Sequence, residues 1–192
     1  YEMEYELIDT GLFDEDRYFD VFVEYAKATP EELLIKITAF NRGPEPAVLH
    51  VLPTIWFRNT WSRNGSAPRP SLQRVADHEG NPVVFAAHPQ LGQRWLVAEN
   101  APAVLFTDNN TNTEKLWGQP NESPWVKDAF NRFVVERETA ALNPGEIGTK
   151  AAPYYPFEIS PGGSATACLR LVDRPPAKRW GHLFGRDFEK VF

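Results

Sequence analysis

Apolar residues recur at every second position in two long stretches near the start of the chain, and this pattern most limits the possible fold. In residues 17–27 one face carries Phe19, Val21, Val23 and Tyr25. In residues 32–41 one face carries Leu33, Ile35, Ile37 and Ala39. A period of two, rich in β-branched and aromatic side chains, is typical of β-strands. These stretches are therefore predicted to build a sheet.

The rest of the chain continues this pattern in shorter pieces. Residues 47–57 are nearly all apolar, which predicts a strand covered on both faces, and Pro53 within it predicts a bulge or a sheet edge because it cannot donate to a ladder. Further strands are predicted at 72–77, 82–87, 93–99, 103–107, 132–138, 154–160 and 165–172. About ten strands joined by short turns predict an all-β fold, a two-sheet antiparallel β-sandwich, with a closed barrel as the alternative.

One segment has a helical pattern strong enough to predict a helix. Phe184, Phe188 and Val191 or Phe192 are spaced at i, i+4 and i+7 or i+8. This pattern is still running at the last residue. We therefore expect residues 1–180 to form the sandwich domain, and residues 181–192 to begin a linker or truncated helix that leads to a catalytic domain.

The charge balance argues against two classes of partner. The 192 residues carry 20 Lys and Arg against 26 Asp and Glu, a net charge of −6. Because phosphate backbones and anionic membranes attract clustered Lys and Arg, we expect neither a nucleic acid nor a membrane as partner. The N-terminus lacks the basic and apolar parts of a signal peptide, so a cytoplasmic location is expected. Cys168 is the only cysteine, which excludes an intrachain disulfide.

Residues 107–131 break the alternation with a long polar stretch. They contain five asparagines, two prolines and two tryptophans. A loop longer than about 12–15 residues inside a compact domain is uncommon and is usually functional or disordered. Because disordered segments are poor in aromatic residues, Trp117 and Trp125 favour an ordered loop. We therefore predict that this loop contacts a ligand or another domain.

Metal and catalytic motifs are not expected in this chain. The four histidines lie far apart, so a zinc site is not predicted, and no cofactor is expected. Asp108, Asn110 and Asn112 match the start of a calcium loop, but Thr113 and Gln119 replace its required Gly and Glu. The acidic run Asp14, Glu15, Asp16 and Asp20 is interpreted as a solvated loop.

Two loops combine aromatic rings with amide and charged groups, which suits sugar rings and their hydroxyls. We predict contact with a carbohydrate or with a partner domain at Arg58, Asn59, Trp61, Trp117, Asn121, Trp125, Lys127, Asp128 and Lys150. Packing inside the protein is the alternative for each tryptophan. It is favoured for Trp56 and Trp95, which lie inside predicted strands.

Four stretches of the chain, residues 7–38, 41–62, 111–131 and 148–166, carry a resemblance to a known family. They include the runs TNTEKLWGQPNESPWVKDAFN and GTKAAPYYPFEISPGGSAT. The chain resembles the N-terminal region of large bacterial proteins related to glycoside hydrolase family 63, which includes processing α-glucosidases. The resemblance implies a supersandwich-type β-sandwich packed on an α/α-barrel, whose Asp acid and Glu base hydrolyse the glycoside with inversion.

Both catalytic carboxylates of that family lie on the barrel, so the resemblance assigns no catalytic residue here. The resulting hypothesis is a non-catalytic N-terminal domain that docks on the catalytic barrel and sends loops toward its sugar site. A free-standing carbohydrate-binding module and a structural or oligomerising sandwich are the alternatives. A sandwich enzyme of the sugar-epimerase kind is disfavoured, because it needs a convergence of His and carboxylate that the scattered histidines do not suggest.

Overall fold

The structure is a computed structural model that describes residues 3–61, 68–177 and 182–192. Within these residues eleven strands form two antiparallel sheets, which confirms the all-β sandwich. The strands are β1 (Phe19–Thr29), β2 (Glu32–Asn41), β3 (Ala47–Val51), β4 (Ile55–Trp56), β5 (Ser71–His78), β6 (Asn81–His88), β7 (Gly92–Ala98), β8 (Ala103–Thr107), β9 (Ile147–Gly148), β10 (Lys150–Ile159) and β11 (Ser164–Val172).

Helices are few and short among the described residues. They comprise α1 (Thr113–Trp117), α2 (Ala129–Val135), α3 (Arg186–Glu189) and the 3-10 turns Leu7–Thr10 and Thr139–Ala141. None of these helices is long and apolar enough to cross a membrane.

The larger sheet has seven strands in the order β1-β2-β11-β7-β6-β5-β9. Its alternating faces follow the sequence pattern: Ile37 on β2 lies opposite Val23 on β1 and Ala167 on β11. The inner face contributes Ile37, Leu96 and other apolar residues to a core shared with the second sheet. The period of two in residues 32–41 therefore places one side of β2 in the core, whereas the corresponding β1 residues Val21, Val23 and Tyr25 stay exposed.

The smaller sheet is built around β10. One side of β10 pairs with β3 and then β4, and its first half also pairs with β8. Pro53 lies between β3 and β4, which agrees with a sheet edge interrupted at that residue. The expectation that residues 47–57 are covered on both faces was wrong, because alternate side chains, including Val48 and Trp56, are exposed on one face. Trp56 is accordingly exposed rather than packed in the core.

The prediction of a strand at residues 132–138 was also wrong, since residues up to Val135 belong to α2. The reason is tertiary packing: Phe130 of α2 joins Leu105 and Ala152 in a cluster on the outer face of the smaller sheet. An apolar sheet face is stable when another layer packs on it, and a short helix buries more of this face than a further edge strand would.

The C-terminal segment packs on the outer face of the larger sheet. Leu183, Phe184 and Phe188 form a cluster with Leu34 and with neighbouring residues of that sheet, including Cys168. Phe184 and Phe188 thus pack on one face as their spacing predicts, although α3 itself spans only Arg186–Glu189. This packing removes the Cys168 thiol from solvent.

Burial raises the pKa of the Cys168 thiol from 9.0 to about 12, and the nearby Glu99 carboxylate adds to the rise. Because the folded state keeps this thiol protonated, its contribution to stability is complete below pH 9 and is lost as the pH rises from 9 toward 12. We expect the free energy of unfolding to fall more steeply over that range in the wild type than in Cys168→Ala, as measured by urea titrations. Equal slopes would contradict this assignment.

Candidate functional site

Residues 108–128, called here the amide-rich loop, leave β8 at Thr107 and lead into α2. They are ordered around the single turn of α1 rather than forming an irregular coil. The Asn112 side chain begins α1 by accepting a hydrogen bond from the Lys115 N–H at 3.0 Å. Gly118 ends it in the left-handed conformation, with φ of 68°. The loop therefore has a defined shape.

Asn121 holds the two halves of the loop together. Its Oδ1 accepts hydrogen bonds from the Thr113 N–H at 2.8 Å and the Thr113 hydroxyl at 3.0 Å. Its Nδ2 donates to Asn112 Oδ1 at 3.0 Å. Asn112 Nδ2 in turn donates to the Asp128 carboxylate at 3.1 Å. These side chains are therefore used inside the loop, where they fix its fold.

A second set of hydrogen bonds attaches the loop to the sandwich. Asn109 Nδ2 donates to the Phe57 carbonyl at 2.9 Å, just beyond β4. The Thr107 hydroxyl donates to the Val126 carbonyl at 2.9 Å, and Asn59 Nδ2 donates to Asn110 Oδ1 at 2.9 Å. The base of the loop is therefore tied to the ends of β4 and β8.

Lys150, at the start of β10, lies under this base. Its Nζ donates to the Lys127 carbonyl at 2.8 Å and sits 4.6 Å from the centre of the Phe130 ring. Burial lowers the pKa of the Lys150 ammonium. Lys127 Nζ reaches Thr111 Oγ1 at 3.3 Å. Lys150 thus joins the loop to β10, and the Lys127 ammonium connects two parts of the loop.

The tip of the loop is apolar and exposed. Trp117 is 65% exposed and Leu116 is 58% exposed, although the backbone beneath them is fixed by the Asn112 and Asn121 bonds. Large apolar side chains held in a fixed, exposed position are typical of contact surfaces. The tip is therefore the part of the loop best suited to an external contact.

Two cavities lie beside the loop and share Ser123. The first, of about 300 Å³, is lined mainly by polar loop residues that include Asn59 and Glu122. The second, of about 400 Å³, is lined by Trp125 and Asp108 among others. Amide, hydroxyl and aromatic groups around a small cavity can bind a polyhydroxylated molecule.

An ion pair in the second cavity was not foreseen from the sequence. Arg69 Nη2 lies 2.6 Å from Asp108 Oδ1, and the Arg69 guanidinium is 5.7 Å from the centre of the Trp61 ring. The Thr149 hydroxyl also donates to Asp108 Oδ1, at 3.4 Å. Arg69 lies among prolines in a loop, where the sequence has no strand or helix pattern from which its ion-pair partner could be predicted. At Asp108 the sequence suggests only an incomplete match to a calcium loop.

The residues predicted to form the site thus lie in three places. Trp117 is at the exposed tip. Trp125 lines the second cavity, and the Trp61 ring lies beside Arg69, which also lines that cavity. Arg58 is exposed beyond β4. The others hold the loop: Asn59, Asn121, Lys127, Asp128 and Lys150. Within the described ranges, no group of three or more His, Cys, Asp and Glu side chains is arranged to hold a metal ion.

Comparison with known proteins adds one similarity. The chain is 32% identical over 208 residues to the uncharacterized protein YMR196W of Saccharomyces cerevisiae. The match covers 91% of this chain and 19% of the yeast protein, so the chain spans about a fifth of that relative's length. No protein-family model matches the chain.

Proposed function

We propose that this sandwich is a non-catalytic domain of a glycoside hydrolase of the α-glucosidase type. It packs on an α/α-barrel catalytic domain, and the tip of its amide-rich loop stands near the sugar site of that barrel. The parent protein is then an inverting hydrolase, and the sandwich alone is inactive. The domain's role is to stabilise the barrel and to complete the wall of its sugar site.

One observation carries this proposal: the loop is internally fixed while its tip is apolar and exposed. Asn121 and Asn112 use their amide groups on the loop itself, so little of their hydrogen-bonding capacity is left for a ligand. Trp117 and Leu116, by contrast, are available to a partner surface. A fixed loop with an apolar tip suits a domain interface better than it suits a sugar site of its own.

Two further findings support it. The yeast relative is about five times as long as the region it shares with this chain, as expected for a domain that belongs to a larger protein. The resemblance of residues 111–131 and 148–166 to family 63-related proteins includes the amide-rich loop and Lys150 beneath it.

The test is Trp117→Ala in the full-length protein. We expect kcat/KM for an α-linked glucoside to fall at least about tenfold, because an interface aromatic residue near the sugar site is lost. The change in kcat/KM is measured from the rate of glucose release from α-glucosides of increasing length. Leu91→Ala is the matched control, since Leu91 is also exposed but lies in the turn between β6 and β7.

Two outcomes would contradict the proposal. One is a full-length protein that hydrolyses no α-glucoside or related glycoside. The other is an active protein in which Trp117→Ala changes neither the kinetics nor the thermal unfolding of the barrel.

A free-standing carbohydrate-binding module is the second candidate, favoured by the two cavities that meet at Ser123. It predicts that the isolated sandwich binds oligosaccharides and that Trp125, which lines the second cavity, reports the binding by fluorescence. Titration of the sandwich with α-linked gluco-oligosaccharides, with Trp125→Phe as the control, separates the two functions. Quenching that Trp125→Phe abolishes favours the module, and unchanged fluorescence favours the docking domain.

A further inference from the structure

A groove lies on the outer face of the larger sheet, beside the C-terminal segment. Its volume is about 830 Å³, which is within the size range of binding sites for small organic molecules. Outward side chains of three paired strands form its floor, where Thr38 of β2 lies between Phe22 of β1 and Thr166 of β11. Residues of the C-terminal segment, including Phe188, form one wall. Neither of the functions considered above uses this groove.

The opposite wall is aromatic and fixed in orientation. Phe22 is 53% exposed, and its ring stands edge to face with the Phe40 ring, with centroids 5.8 Å apart and an angle of 89° between the planes. The Arg42 guanidinium lies 5.2 Å from the centre of the Phe40 ring. Phe22 therefore presents an aromatic surface to the groove, and such a surface packs well against the apolar face of a sugar ring.

The floor of the groove carries two hydroxyl groups in contact. Thr38 Oγ1 and Thr166 Oγ1 are 3.3 Å apart, and either of them can be the donor. Because a hydroxyl group both donates and accepts, the pair can rotate to suit the hydroxyl groups of a ligand in either role. Three strands spaced 4.7–4.9 Å apart give the floor a width of about 10 Å, enough for two linked sugar rings.

Lys36 fixes the C-terminal wall to this floor. Its Nζ lies 3.2 Å from Glu189 Oε2 in α3 and 3.7 Å from Glu24 Oε2 in β1. It also lies 4.4 Å from the centre of the Phe192 ring. Phe188 of the same wall is almost fully buried against the sheet. The groove is therefore formed before any ligand binds, as is usual for small-molecule sites.

The charges around the groove favour a neutral ligand. Arg42 Nε lies 2.6 Å from Asp20 Oδ2, so this cation is paired, as Lys36 is. The Glu99 carboxylate adds a further negative charge beside the Cys168 thiol. Carboxylates thus outnumber the cations, which disfavours an anionic ligand. A cationic ligand would have to compete with Lys36 and Arg42 for carboxylates that they already pair with.

We propose that this groove binds a neutral oligosaccharide, with a sugar face on Phe22 and sugar hydroxyl groups on Thr38 and Thr166. The groove lies on the face of the sandwich opposite to α2, which follows the amide-rich loop and packs on the smaller sheet. It is therefore a second sugar-binding surface, separate from the loop, that holds a substrate chain away from the site of hydrolysis. The choice of an α-glucan as the sugar rests on the proposed function.

The test is isothermal titration calorimetry of the 192-residue chain with maltoheptaose. We expect a Kd on the order of 0.1–1 mM, because an open groove contacts only one side of the sugar. Phe22→Ala should raise the Kd at least about tenfold, since it removes the aromatic surface. Tyr25→Ala is the matched control and should leave the Kd unchanged, because Tyr25 is an exposed aromatic residue on the other face of β1.

The double variant Thr38→Val and Thr166→Val tests the floor without changing its volume much. We expect the Kd to rise about fivefold, because the sugar hydroxyl groups lose their partners. Trp125→Phe should leave the Kd unchanged, since no tryptophan lines the groove within the described residues. Circular dichroism during urea unfolding verifies that each variant is folded.

Four results would overturn the proposal. They are no binding of maltoheptaose at millimolar concentration, a Kd that either groove variant leaves unaltered, an equal loss in Tyr25→Ala or Trp125→Phe, and tighter binding of triarginine or maltose 1-phosphate than of maltoheptaose. Because no step of this test depends on hydrolysis, it separates the groove from the proposed function. A chain that does not bind, in a parent protein that Trp117→Ala impairs, loses this inference alone.

Discussion

Gly148→Ala is expected to destabilise the protein by at least about 3 kcal/mol, since overpacking against fixed backbone cannot be relieved by a rotamer change. A β-carbon at this position would lie 2.1 Å from the Thr107 carbonyl oxygen and 2.8 Å from its carbon. The same oxygen accepts a hydrogen bond from the Thr149 N–H at 3.1 Å. Relief of the clash therefore requires β8 and β9 to separate where the chain passes from one sheet to the other.

Urea unfolding followed by far-ultraviolet circular dichroism measures the effect. Gly145→Ala is the matched control, because the nearest atom to its added carbon is Asn143 Oδ1 at 3.2 Å, at the end of a side chain. We expect that control to cost less than about 1 kcal/mol. Similar losses for the two variants would mean that the close approach of Gly148 to Thr107 does not limit stability.

Asn41→Ala is expected to cost about 2–4 kcal/mol, because it leaves several buried polar groups without partners. The Asn41 side chain is almost fully buried at the end of β2. Its Nδ2 donates to the Glu45 carbonyl at 2.8 Å and to the Ile159 carbonyl at 2.9 Å, and its Oδ1 accepts from the Gly43 N–H at 2.9 Å. One side chain thus joins the turn after β2 to the end of β10 in the other sheet.

Asn143→Ala provides the control for this prediction. Asn143 makes a similar local set of bonds, accepting from the Gly145 N–H at 2.9 Å and donating to the Ile147 carbonyl at 2.7 Å. These groups lie at the surface, where water replaces the lost partners, so a cost below about 1 kcal/mol is expected. Thermal unfolding of both variants gives the comparison. Equal destabilisation would show that burial does not determine the cost at Asn41.

Local pattern was sufficient to predict the long strands. In β2 the period of two reflects a real difference between an inner and an outer face, and β1 pairs with β2 along its length, so residues 17–41 could be assigned from the sequence. At residues 47–57 the prediction of a strand covered on both faces failed. A continuous run of apolar residues does not distinguish a buried strand from an exposed edge strand. In residues 132–138 the β-branched pair Val134 and Val135 suggested a strand, but the need to cover the smaller sheet favoured a helix.

The candidate site was predicted in outline but not in detail. The two tryptophans in residues 107–131 correctly indicated an ordered loop, since disordered segments are poor in aromatic residues. The sequence did not show that Asn121 and Asp128 would use their side chains inside the loop. It also did not pair Arg69 with Asp108, because that ion pair joins residues 39 positions apart through the fold.

The hydrogen bonds at Asn121 join uncharged groups: an amide, a hydroxyl and backbone N–H groups. Such bonds have no proton to gain or lose near neutral pH and are little screened by dissolved ions. The bonds at Asn121 that fix the backbone beneath Trp117 are therefore little affected by changes in acidity and salt. A change in either condition would act first on charged contacts, including the one between the Asp128 carboxylate and Asn112 at the base of the loop.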